Sequence, residues 1–162
     1  MAHVELRDIV TEADREAVLA LERAPGQERF LGSMAGHFED AAAEPWGKPR
    51  MWSVHDDEQL VGFVMISDNI EELNEDLLGP YYLWRLLVDA QFQGRGYGAA
   101  TLDAVVRYLR TRPGADVLWT SCGRGEGSPQ PFYEHYGFVA TGEIKWDEAV
   151  LRLDLPHAAT TT

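Results

Sequence analysis

The chain has 162 residues, 45% of them hydrophobic and 25% charged, which fits one domain with a real core and excludes wholesale disorder. Lys and Arg number 14 against 27 Asp and Glu, and the formal charge of −13 argues against nucleic acid as a partner. The charge is uneven: residues 1–80 hold 18 acids and 6 bases, residues 81–162 hold 9 acids and 8 bases, so the halves are expected to face different things. The single Cys122 cannot form an internal disulfide, and no Cys/His group has zinc spacing, so no metal is expected. No apolar run approaches the roughly 20 residues that span a bilayer, and the amino terminus is too acidic for a signal peptide. No membrane partner and a cytoplasmic location are therefore the expectations.

In chain order, residues 4–10 alternate and predict a first strand. Thr11 offers a helix N-cap; Ala13, Ala17, Val18 and Leu21 then recur at helical spacing until Pro25-Gly26. Residues 27–44 are weakly helical, in two short pieces. Residues 50–54 and 60–67 read as a hairpin of strands, followed by an acidic stretch over 68–76. Residues 81–88 are apolar apart from Arg85, the pattern of a central strand covered on both faces. An acid partner for Arg85 is expected, because a buried guanidinium needs one, with contact to a substrate as the second reading.

A glycine-rich turn follows, then a helix carrying Leu102, Val105, Val106 and Leu109 on one face. Residues 117–122 predict a fifth strand. Ser128 and Pro129 open a short helix that runs to His135, with Gly137 beyond it. Residues 138–144 and 149–155 close the chain as a hairpin. The expectation is a single α/β domain over residues 1–155, with a mixed central sheet, helices on both faces and a short tail at 156–162.

Chemistry concentrates where the fourth strand hands over to a helix. Gly94, Gly96 and Gly98 fall within five residues there. Glycine lets the backbone approach a ligand closely, and helix N-terminal amides with Arg95 suit an anion such as phosphate. A plain tight turn is the bland alternative. A Walker loop is excluded because the Gly-Lys-Ser/Thr ending is missing. A dinucleotide fingerprint, with Ala99 at a position where alanine is tolerated, stands as a rival. It is disfavoured because the turn follows the fourth strand, with no second β-α unit and no acid ending a next strand about 20 residues on.

Gln93-Gly94-Arg95-Gly96-Tyr97-Gly98 resembles the Q/R-x-x-G-x-G/A acyl-CoA motif of the GNAT superfamily of N-acetyltransferases. Pro131-Phe132-Tyr133-Glu134-His135-Tyr136-Gly137-Phe138 resembles that superfamily's F-Y-x-x-x-G-F element, and the likeness covers about residues 50–155. Residues 82–89 and Thr141-Gly142-Glu143 look most like the bacterial spermine/spermidine acetyltransferase group. The resemblance implies a GNAT-like fold with a cofactor cleft splayed open after strand 4. It implies acetyl-CoA as co-substrate, its pyrophosphate held by the amides of Gln93, Gly94, Arg95, Gly96, Tyr97, Gly98 and Ala99. It implies that the backbone of Leu87 and Val88 pairs with the pantetheine arm, and that Tyr133 is a general acid. The likeness departs at Glu126 and Pro129, where the family often has Asn and Ala, which puts a side-chain contact to pantetheine in doubt.

The implied reaction is acetyl transfer to a primary amine of a small cationic acceptor, polyamine-like, by direct attack in a ternary complex. Acetylation of a protein amino terminus or an antibiotic, and a non-catalytic acyl-CoA-binding module, stand as alternatives, and a homodimer is left open. Trp84 and the acids Glu28, Glu71, Glu72 and Glu75 are candidate acceptor contacts; the four acids are also candidate general bases. The acidic half is read either as a solvated surface that serves solubility or as a wall that draws in a cation, while the near-neutral half, which holds both motifs, avoids repelling an anionic cofactor.

Overall fold

The computed structural model describes residues 2–72 and 78–156. Seven strands form one mixed sheet in the order β1-β2-β3-β4-β5-β7-β6, with four helices between them. In chain order the elements are β1 (Glu5–Asp8), α1 (Glu12–Leu19), α2 (Met34–Ala43), β2 (Pro49–Asp56), β3 (Gln59–Asp68) and β4 (Tyr81–Val88). They continue with α3 (Tyr97–Leu109), β5 (Val117–Gly123), α4 (Gln130–Tyr136), β6 (Val139–Lys145) and β7 (Glu148–Asp154). All pairs are antiparallel except β4–β5, so every sequence-predicted element is present in its expected order. Of the expected tail, only Pro156 lies within the described residues.

Alternation along β3 divides the core. Phe63 and Met65 turn to one face, against Val18 of α1 and Met34, Phe38 and Ala41 of α2. Val64 and Ile66 turn to the other, against Leu102, Val105 and Leu109 of α3 and Tyr133 of α4. Each of the fully buried aliphatics contributes about 1.5–3 kcal/mol by leaving water. Helices on both faces follow directly from this period-two split.

Helix boundaries follow local chemistry where caps are present. Thr11 and Asp14 form a capping box: Asp14 N–H donates to Thr11 Oγ1 at 3.0 Å, and Thr11 N–H donates to Asp14 Oδ2 at 3.0 Å. α1 stops at Leu19, short of the expected Pro25-Gly26, because the chain is pulled toward β4 instead. Glu22 N–H donates to Asp89 Oδ2 at 2.9 Å, and Ala90 N–H donates to Glu22 O at 2.9 Å. α4 begins one residue later than its Ser-Pro signal predicts. The Ser128 hydroxyl still accepts from Gln130 N–H at 3.1 Å, and it donates to Gly123 O at 2.5 Å.

Candidate active site

β4 and β5 pair only at Tyr82↔Trp119 and Leu83↔Thr120, and beyond Leu83 they part. A cleft of about 870 Å³ opens between them, within the size range of small-molecule sites. Residues 24–31 cover it and touch both walls. On one side Gln27 Oε1 accepts from Gln93 Nε2 at 3.2 Å. On the other the Phe30 ring lies against Gly123, where a Cβ would come within 2.8 Å of it. Asp89, 6% exposed, anchors this cover through Glu22 and also accepts from Gln91 N–H at 2.9 Å.

Register decides which backbone groups the splayed edge offers. Gly62 is opposite Val88, and Asp89 N–H donates to Val61 O at 2.8 Å, which makes Gly62↔Val88 a non-hydrogen-bonded pair. By alternation Leu87 spends its amide and carbonyl on Phe63, while those of Leu86 and Val88 face the cleft. Leu87 is accordingly 1% exposed and packs with the α1–α2 core. The expectation of Leu87 as a cleft-facing pair partner is corrected to Leu86. Val88 keeps its place, although its carbonyl already accepts from Gln93 Nε2 at 3.0 Å.

At the end of β4 the glycine loop turns into α3. Gly94 and Gly96 have φ of +78° and +85°, values that resist a side chain, and Gly96 is the N-cap of α3. Ala100 N–H makes the first bond back, to Gly96 O at 3.1 Å. The amides of Tyr97, Gly98 and Ala99 are thus helix N-terminal donors at an end with partial positive charge. Tyr97 Oη donates to Asp56 Oδ2, tying the helix start to the end of β2.

Tyr133 enters from α4, 8% exposed, and lines the cleft; burial pushes its phenol well above the ordinary range, so it holds its proton. Cys122 also lines the cleft, but burial raises its thiol, which keeps it from thiolate chemistry. Arg85 has the acid partner expected of it. Its Nη2 donates to Asp40 Oδ2 at 3.0 Å, its Nε to His37 Nδ1 at 3.1 Å and its Nη1 to Trp84 O at 2.8 Å.

Of the sequence-predicted site residues, the cleft collects Trp84, Val88, Gln93, Gly94, Gly96, Tyr97, Gly98, Ala99 and Tyr133. Trp84 is pinned there by Nε1 donating to Ser67 Oγ. Arg95 is exposed on the loop with its guanidinium over the Phe92 ring at 5.6 Å, and does not line the cleft. Glu28 is exposed and does not line it. Glu71 and Glu72 follow β3 and lie toward Tyr81, the opposite end of β4 from Val88, and neither lines the cleft. Glu75 lies outside the described residues. Among the described residues the carboxylates that line the cleft are Glu126 and Glu148, both from the half of the chain that is near neutral. Sequence reading passed over Glu148, Ser121 and Tyr82, which lie on three strands and meet only through sheet pairing. Among the described residues no group of His, Cys, Asp and Glu could hold a metal ion, and no helix is long and apolar enough to cross a membrane.

The sequence profile of the acetyltransferase (GNAT) family matches residues 15–138. Spermine/spermidine N(1)-acetyltransferase of Bacillus subtilis (strain 168) is 26% identical over 138 residues, 85% of this chain and 90% of its own. The aminoglycoside acetyltransferase AAC(6')-Ib, solved with coenzyme A, superposes with a TM-score of 0.73 at 18% identity, covering 93% of this chain and 94% of its own. The ribosomal-protein-S18-alanine N-acetyltransferase of Escherichia coli gives a TM-score of 0.63 at 18% identity, covering 98% of each chain. The chain belongs to the GNAT family of acetyltransferases and is an acetyl-CoA-dependent N-acetyltransferase.

Proposed function

We propose that the protein acetylates a primary amine of a small cationic acceptor, polyamine-like, in a ternary complex with acetyl-CoA. The observation that carries this reading is the charge of the cleft: among the described residues Glu126 and Glu148 present two carboxylates, against Arg29 and an Arg85 guanidinium that is paired with Asp40. The Bacillus subtilis relative, named for spermine and spermidine, supports the same acceptor class.

Acetyl-CoA supplies an acetyl group activated as a thioester. The residues suit its parts. The amides from Gln93 to Ala99, with glycines at positive φ, form the cradle for the pyrophosphate, and Arg95 adds charge beside them. The edge groups of Leu86 and Val88 pair with the amide-bearing arm. Arg29, exposed over the Phe30 ring, adds a positive charge to the cleft lining. Tyr133, kept protonated by burial, supplies a proton to the departing thiolate. Holding the two reactants in one cleft makes their encounter effectively unimolecular.

The test compares acceptors of matched basicity. With acetyl-CoA saturating, kcat/KM for a di- or polyamine should exceed that for an uncharged-chain monoamine by about tenfold or more, since a second ammonium meets the carboxylates. Equal values, or preference for an acceptor carrying one amine and no second cation, overturn the assignment.

A further inference from the structure

A file of three hydrogen-bonded side chains runs from the cleft to the start of β7. Tyr82 Oη lies 2.5 Å from Ser121 Oγ, and the Ser121 hydroxyl donates to Glu148 Oε1 at 2.7 Å. A hydroxyl has one proton to give. The Ser121 proton goes to the carboxylate, so the phenol is the donor to Ser121. The file is polarised toward Glu148, and the Tyr82 oxygen has lone pairs left to offer. All three residues line the cleft, and Tyr82 stands where β4 and β5 make their last pairs before parting.

The surrounding backbone holds the file in place. Ser121 is opposite Val150 and Gly123 is opposite Glu148, so Ser121 and Glu148 are diagonal neighbours across the β5–β7 ladder. Glu148 follows a two-residue turn in which Trp146 and Asp147 have φ of +53° and +61°. For a residue as large as Trp this conformation costs on the order of 1–3 kcal/mol and persists only where its surroundings enforce it. The strained turn starts β7 at Glu148 and sets the Trp146 ring edge-on to Tyr82, centroids 6.4 Å apart.

We infer that Glu148 is the final acceptor of the amine's proton, reached through Ser121 and Tyr82. The inference rests on the proposed acetylation of a cationic amine, because an ammonium nitrogen has no lone pair with which to attack. The ammonium N–H proton passes to the Tyr82 oxygen as the phenolic proton passes to Ser121 and the Ser121 proton to Glu148. One N–H bond breaks, one O–H bond forms on the carboxylate, and the products are a neutral amine and a neutral acid. Burial pushes the Tyr82 phenol up to about 12, so it works as a conduit and not as a phenolate. Glu126, the other carboxylate lining the cleft, has no hydroxyl partner among the described residues. Tyr82 is then the catalytic residue that touches the acceptor; Ser121 and Glu148 act through it.

Glu148→Gln retains an acceptor for Ser121, and Tyr82→Phe removes the conduit. Both variants are measured by steady-state thiol release from about pH 6 to about pH 10, with one acceptor of ammonium pKa near 10 and one near 7. Calorimetry of acetyl-CoA binding runs alongside. The expected result is unchanged acetyl-CoA affinity and a loss of about tenfold or more in kcat near neutral pH with the basic acceptor. That loss should shrink as pH rises toward the acceptor's pKa, and from about pH 8 upward it should stay within about threefold for the weakly basic acceptor, which is by then mostly neutral amine. A wild-type rate and pH profile with the basic acceptor overturns the relay, and so does an equal loss with both acceptors. If either variant fails to fold, Ser121→Ala decides by the same readouts. Absence of turnover of any amine by the wild-type protein is a separate result, which removes the acetylation reading and the relay with it.

Discussion

His37 carries a pH dependence of stability that can be worked out from its surroundings. The residue sits in α2, 1% exposed, with its ring stacked on Phe63 at 5.9 Å and 8°. Its Nδ1 accepts from Arg85 Nε, so the proton of the neutral ring is on Nε2, which is buried without a partner among the described residues. Burial first, and then the charges of Arg85 and Arg23, lower its pKa from 6.5 to about 4, with Asp40 opposing them. Above pH 6.5 neither the folded nor the unfolded chain protonates this ring, and its contribution to stability is complete. Between 6.5 and about 4 the unfolded chain binds the proton and the folded one does not, so stability falls as pH falls. At about 1.4 kcal/mol per pH unit the loss amounts to about 3 kcal/mol across that window. The perturbation is His37→Gln, which keeps an acceptor for Arg85 and removes the titrating ring. Urea unfolding of both proteins at several pH values gives two stability curves that share every other acid. The wild-type curve should drop more steeply than the variant's between pH 6.5 and 4, and the gap between them should close by about 3 kcal/mol. Parallel curves would refute the burial of a neutral imidazole on Arg85.

Replacing Gly96 with Val should weaken acetyl-CoA binding by about tenfold or more in calorimetry, since a branched Cβ at φ +85° forces the loop to rearrange. Normal affinity would contradict the amide cradle. Tyr133→Phe should lower kcat by about tenfold or more with little change in acetyl-CoA affinity, and an unchanged kcat removes the phenol from the mechanism. Asp68, whose side chain is 10% exposed, accepts from Arg112 Nε at 2.9 Å and from the Tyr108 phenol. Asp68→Ala should therefore cost about 2–4 kcal/mol in urea unfolding, and a cost under about 0.5 would show that the pair is idle.

Periodicity made the strands and the two-faced sheet legible before any coordinates, because apolar alternation and helical spacing are properties of neighbours in the chain. Thr11 was readable as a cap for the same reason. The end of α1 was not, since it depends on Asp89 capturing the Glu22 amide across 67 positions. The cradle was readable because its parts, Gly94 to Ala99, are contiguous. The choice between Leu86 and Leu87 was not, because a strand's hydrogen-bonding parity is set by its register against β3, and composition is silent on register. The acids tell the same story. A dense run such as Glu71-Glu72 draws the eye, whereas Glu148 is one acid among several until the β5–β7 ladder sets it beside Ser121. Among the described residues the cleft's carboxylates come from residues 81–162, so the net charge of residues 1–80 does not by itself describe the lining of the cleft.

The central claim is catalysis on a small cationic amine, and thiol release from acetyl-CoA across a panel of acceptors tests it most directly. The panel should hold spermine, spermidine, shorter diamines, an aminoglycoside, an alanine-terminated peptide and neutral monoamines. Sustained release that depends on a polyamine, with acetylated polyamine as the product, is the predicted result. Binding of acetyl-CoA with no release from any amine would contradict the account and make the protein an acyl-CoA-binding module. Release with the aminoglycoside or the peptide alone would move the acceptor to a different class.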